Sequence, residues 1–167
     1  MTLKEKIQQD FKEAFKNKEE VKVSTFKMLQ SEIKNAEIAK KTKLSKDENV
    51  SDIDAKSQLN DEEIIQVIGK EAKKRRDAIE IYKKEGRSEL QKREEDELAV
   101  LSGYLPEQIS EDEIKKIVEE SIRDSGAAGP QEVGKIMKVL MPKVKGKADG
   151  ALVNKIAKEV IVNYFLA

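Results

Sequence analysis

The chain has no cysteine and no histidine among its 167 residues. That removes thiol nucleophiles, disulfides, thiolate zinc sites and every imidazole-based triad or acid–base relay. A chain without disulfides suits a cytoplasmic location. Aromatic residues make up only 4% and prolines number three. Lys+Arg and Asp+Glu are both 33, so no global basic excess exists. Any nucleic-acid site must then be a local patch rather than a property of the whole surface. No long apolar run follows the N-terminal Met1-Thr2-Leu3-Lys4, so neither a signal peptide nor a transmembrane segment is expected.

What is present is charge, at 40% of residues, arranged around regular apolar positions. That combination predicts an all-α protein with solvated, ion-paired faces, and the regular apolar recurrence excludes a disordered chain. Thr2-Leu3-Lys4-Glu5 is a capping box for a first helix, with Leu3, Ile7, Phe11, Ala14 and Phe15 on one face. The acids on its other face, Glu5, Asp10 and Glu13, argue against an anionic membrane as the partner. A second helix is expected over about 20–40, with Ile38 outside its apolar arc.

Periodicity lapses over 41–58, which reads as a disordered surface loop. Asp47, Glu48, Asp52 and Asp54 there lack the glycine and terminal glutamate of an EF-hand. Asn60-Asp61-Glu62-Glu63 caps a long helix with a stripe of Ile65, Ile68, Ala72, Ile79 and Tyr82, and Gly86 is placed to end it. Ser88 opens its antiparallel neighbour, with Leu90, Leu98, Leu101 and Leu105. Arg75 interrupts the first stripe and Glu94 and Glu97 the second, which predicts a partly buried ion pair across the hairpin.

Pro106 and a fresh capping box at Ser110-Glu111-Asp112-Glu113 divide the chain into an N-terminal helical bundle with a long hairpin, 1–105, and a small C-terminal helical domain, 106–167. Ile114, Ile117, Val118 and Ile122 line the next helix. Pro130 suits a helix start, and Val133, Ile136, Met137 and Leu140 an apolar face that Pro142 is expected to end. A lysine-rich turn follows around Gly146, and Asp149 caps a last helix carrying Leu152, Val153, Ile156, Val160 and Phe165.

Val133-Gly134-Lys135-Ile136-Met137 and Met141-Pro142-Lys143-Val144-Lys145-Gly146-Lys147-Ala148-Asp149-Gly150 resemble the C-terminal signature of YqeY-like proteins. That family is similar to the tail domain of GatB, a subunit of the tRNA-dependent amidotransferase, with a shared Gly-Lys-Ala-Asp/Asn pattern. The stretch from Phe26 to Ile38, the run Lys70-Glu71-Ala72-Lys73-Lys74-Arg75-Arg76-Asp77-Ala78-Ile79, Gly86-Arg87 and Tyr104-Leu105-Pro106-Glu107-Gln108 resemble it too. Phe26-Lys27 departs from the family's usual Leu-Arg, which loses a bidentate arginine contact.

The resemblance implies tRNA or another structured RNA as a partner and leaves a protein partner open. It also suggests carbon–nitrogen ligation with glutamine as amido donor, although that chemistry belongs to parts of the amidotransferase outside the matching tail. The chain itself offers no catalytic constellation, cofactor motif or metal site: Gly146-Lys147-Ala148 lacks the glycine spacing and hydroxyl of a P-loop. The expected RNA-contacting residues are Lys143, Lys145 and Lys147 in the turn, helped by Lys135 and Lys138 on the helix before it. The basic face at 73–76 is the next candidate.

Overall fold

A computed structural model describes residues 1–47 and 49–167. The protein is all-α and divides into two compact units, Met1–Leu105 and Pro106–Ala167. The first unit contains α1 (Leu3–Lys16), α2 (Glu20–Leu44), a single-turn α3 (Ile53–Lys56), α4 (Asp61–Lys84) and α5 (Ser88–Ser102). The second contains α6 (Glu111–Ser125), a short 3₁₀ turn at Pro130–Glu132, α7 (Val133–Val144) and α8 (Gly150–Leu166).

Three helices begin as their capping boxes dictate. Thr2 with Glu5, Asn60 with Glu63 and Ser110 with Glu113 exchange side-chain and backbone hydrogen bonds reciprocally. The α4–α5 hairpin turns through Gly86 at φ 69°. Gly86 N–H donates to the Lys83 carbonyl and Arg87 N–H to that of Tyr82, which closes a Schellman motif. The α1–α2 turn uses the same pattern, with Glu19 N–H donating to the Ala14 carbonyl. Its left-handed residue is Lys18, at φ 57°, where glycine would be unstrained.

The core of the first unit gathers Ile7, Phe26, Leu29, Ile33, Ile64, Ile68 and Leu101 among its buried residues. Tyr104 closes one side: its hydroxyl donates to Asp10 on α1 and its ring meets Phe26 edge-on. Arg75 is held across the α4–α5 seam, only 15% of its side chain exposed. Its Nε lies 3.3 Å from Glu97 and 3.8 Å from Glu94, and Nη1 donates to Glu71 at 3.0 Å. Glu71 and Glu97 are themselves buried, and each has a second cation, Lys74 at 2.5 Å and Arg93 at 3.4 Å. The core of the second unit is apolar throughout, built from Ile114, Val118, Ile122, Ile136, Leu140, Val144, Val153, Ile156 and Ile161 among others.

Four expectations are corrected. Segment 41–58 is not loop throughout: α2 runs on to Leu44, and α3 forms one further turn. Lys41 and Lys43 favour the last turn of α2 through its dipole, and exposed helix needs no apolar period. The connection is also fastened, by Lys40 Nζ on the Gln58 carbonyl at 3.1 Å and by a Lys41–Asp54 ion pair. Second, Pro142 does not end α7, which continues to Val144. It sits in the final turn on the exposed face, where losing one N–H donor leaves the carbonyl of exposed Lys138 to water. Third, Phe15 is 63% exposed and touches Phe11 from the rim of the core. Fourth, α4 buries Ile64 and leaves Ile65 half-exposed, because Glu71 and Arg75 draw the seam toward that side.

Candidate nucleic-acid interface

The α7–α8 turn is built by backbone before any lysine contributes. Val144 is buried in the core and fixes where α7 ends. Gly146 then takes φ 76°, a conformation glycine adopts without strain. Lys147 N–H donates back to the Val144 carbonyl at 2.9 Å. From outside, the segment entering α6 clamps the turn. Gln108 Nε2 donates to the Gly146 carbonyl at 2.9 Å, and Ile109 N–H to the Lys147 carbonyl at 3.0 Å. Asp149 accepts from Leu152 N–H and starts α8. The lysines thus stand on a fixed frame.

Their side chains differ in commitment. Lys143 points to α6, with Nζ 2.8 Å from Asp124 and 3.6 Å from Glu120. Its hydrogen bond to Asp124 holds its ammonium above the usual lysine range. Lys135 lies 3.5 Å from Glu132. Glu132 is held below the usual carboxylate range, first by the Ala128 N–H it accepts and then by the Lys135 charge. Lys138, Lys145 and Lys147 are exposed. Lys138 and Lys147 make no ion pair among the described residues.

Lys135 and Lys138 are three residues apart, so they share the outer side of α7, opposite Ile136 and Leu140. Gly134 is exposed on the same helix, and a Cβ there would meet nothing within 4 Å. The arrangement presents cations and bare backbone, which suits contact with a polyanion. The acids that engage Lys143 were missed from the sequence. Glu120 and Asp124 stand four apart on one face of α6, a signal that becomes useful only once α6 is known to pack on α7.

The alternative face at 73–76 is more heavily engaged. Lys74 is committed to Glu71, Arg75 lies inside the seam, and Lys73 also has an interaction partner. In the 41–58 connection, Asp47 accepts from Asn49 N–H and Asp54 pairs with Lys41, while Glu48 lies outside the described residues. Among the described residues no helix is long and apolar enough to cross a membrane.

The family model of YqeY-like proteins matches residues 4–53 and 49–161, and the chain belongs to that family. It is also similar to the altered inheritance of mitochondria protein 41, mitochondrial, of Pyrenophora tritici-repentis (strain Pt-1C-BFP). The two are 29% identical over 159 residues, covering 93% of this chain and 79% of that protein.

Proposed function

We propose that this YqeY-like protein is a non-catalytic accessory protein that binds tRNA or another structured RNA in the cytoplasm. Its contact surface is the outer side of α7 and the turn beyond it, with Lys135, Lys138, Lys143, Lys145 and Lys147. The observation that carries the reading is that turn: lysines concentrated on a clamped backbone in a chain of zero net charge. The resemblance of these residues to a tail domain of a tRNA-dependent enzyme supports the choice of RNA. A fixed frame matters because phosphate contacts set register without ordering flexible chain first. Lys143 also ties the turn to α6 through Asp124 and Glu120, so its ammonium must be shared between those carboxylates and a phosphate.

The test is titration of a structured tRNA transcript against the full chain over a range of salt. Each phosphate contact removed flattens the slope of log affinity against log salt by roughly 0.7–0.9. A Lys143→Ala/Lys145→Ala/Lys147→Ala variant is expected to bind more weakly with a shallower slope and a parental helical spectrum. Parental affinity in that variant would move the site elsewhere, with the 73–76 face next in line. Fractionation of cells carrying a tagged chain checks the compartment, since the similar protein's name places that protein in mitochondria.

A further inference from the structure

Two carbonyls share one exposed side chain beside the lysine turn. Gln108 lies in the segment between Pro106 and α6. Its Nε2 donates to the Pro106 carbonyl at 2.8 Å and to the Gly146 carbonyl at 2.9 Å. A carbonyl accepts and cannot donate, so both contacts belong to the NH2 group, and chemistry fixes which way the amide is turned. Both N–H donors of that group are then used.

What the amide has left to offer is its oxygen, Oε1, an acceptor with two lone pairs. No hydrogen bond reaches Oε1 from the described residues. The bond to Gly146 holds this amide against the residue between Lys145 and Lys147. Those lysines offer donors alone, because an ammonium has no lone pair. The same clamp engages two carbonyls of the turn, Gly146's through Gln108 and Lys147's through Ile109 N–H at 3.0 Å. Oxygens that would repel a phosphate are thereby occupied, while the amide oxygen stays available as an acceptor.

We propose, resting on the RNA contact proposed above, that Gln108 Oε1 accepts from a ribose 2′-hydroxyl while Lys145 and Lys147 meet the adjoining phosphate. Gln108 would then set a preference for RNA over DNA. The deoxyribose–phosphate backbone carries acceptors only, so it satisfies lysines and has nothing to donate to an amide oxygen. The ribose–phosphate backbone adds one donor beside the phosphate, the 2′-hydroxyl. A turn that sets ammonium donors around a fixed acceptor matches the second backbone and not the first. Fixing the acceptor matters, because an amide already held at two points loses little rotamer freedom on binding.

The probes are a synthetic RNA hairpin and a copy with 2′-fluorine on every sugar, which keeps the A-form helix and lacks the donor. Titration at low salt keeps weakened binding measurable. The full chain is expected to bind the RNA about threefold to tenfold more tightly than the fluorinated copy, the worth of one neutral hydrogen bond. Gln108→Met, of similar length but without the amide, should abolish that preference. A residue that only held the turn would weaken both probes alike and leave their ratio intact. Glu107→Gln, at the exposed neighbouring acceptor, should keep the parental ratio. Lys145→Ala/Lys147→Ala should weaken both probes and keep it too. A parental ratio in Gln108→Met overturns the proposal, as does a preference lost in Glu107→Gln. Equal parental binding of the two probes, weakened by the lysine variant, overturns this role of Gln108 alone. A parent that binds neither probe overturns the RNA contact and the role of Gln108 with it.

Discussion

The two units solve the same packing problem with different materials. Among the described residues the shorter second unit gathers ten buried core residues, all apolar, and its one buried polar side chain, Ser121, bonds within its own helix. The longer first unit gathers nine and adds buried Glu71 and Glu97 around Arg75. Apolar packing stabilises without direction, whereas a buried ionic cluster contributes little net stability but penalises misalignment severely. A long hairpin can slip by a turn; a three-helix core cannot do so without emptying its centre. The charged seam is thus best understood as fixing the register of α4 on α5, and the apolar core as holding the frame under the lysine turn.

The largest effect should come from the apolar side of this contrast. Leu140→Ala, at a fully buried position, is expected to cost about 3–5 kcal/mol. Hydrogen exchange should place the loss in α6, α7 and α8. Arg75→Ala should cost less, about 2–3 kcal/mol, because Lys74 and Arg93 remain to neutralise the stranded glutamates. Its loss should appear in α4 and α5. Replacing the cluster as a whole, Glu71→Leu/Arg75→Met/Glu97→Leu, is expected within about 1 kcal/mol of the parent in urea melts. If that triple variant fell as far as Arg75→Ala, the cluster would be a net source of stability and the two units would not differ in this respect.

Smaller effects sharpen the same picture. Tyr104→Phe removes the hydroxyl that donates to Asp10 and should cost about 1 kcal/mol. Burial first, then that hydrogen bond, pushes the Tyr104 hydroxyl well above the ordinary tyrosine range. A group whose folded pKa is raised contributes stability that is complete below its unfolded value, near 10, and is lost as pH climbs toward the folded one. In an alkaline absorbance titration, Tyr104→Phe should remove the latest-ionising tyrosine. Lys18→Gly should add about 1 kcal/mol by relieving the left-handed conformation in the α1–α2 turn. A destabilised Lys18→Gly would mean that the turn relies on contacts of the lysine itself.

These contrasts also explain what the sequence disclosed. Caps are local, so Thr2, Asn60 and Ser110 announced their helices, and Gly86 announced the hairpin turn. Arg75 was legible as a seam residue because an arginine in an apolar stripe demands a partner across it. Glu71 was not, because a glutamate one turn from a lysine on a charged helix looks solvated until α5 is placed beside it. Pro142 misled because the rule against proline in helices weakens in an exposed last turn. At the candidate interface the lysines were readable, but their commitments were not. Lys143 meets Asp124 from 19 residues away, a pairing that depends on how α6 packs on α7.

The proposed RNA contact lies at the lysine turn of the second unit. Ultraviolet cross-linking of the full chain to a structured tRNA transcript, followed by mapping of the linked peptides, tests it most directly. Cross-links are expected within residues 133–149, weakened by high salt and lost with Lys145→Ala/Lys147→Ala. Cross-links confined to residues 73–93, with 133–149 unlabelled, would contradict it.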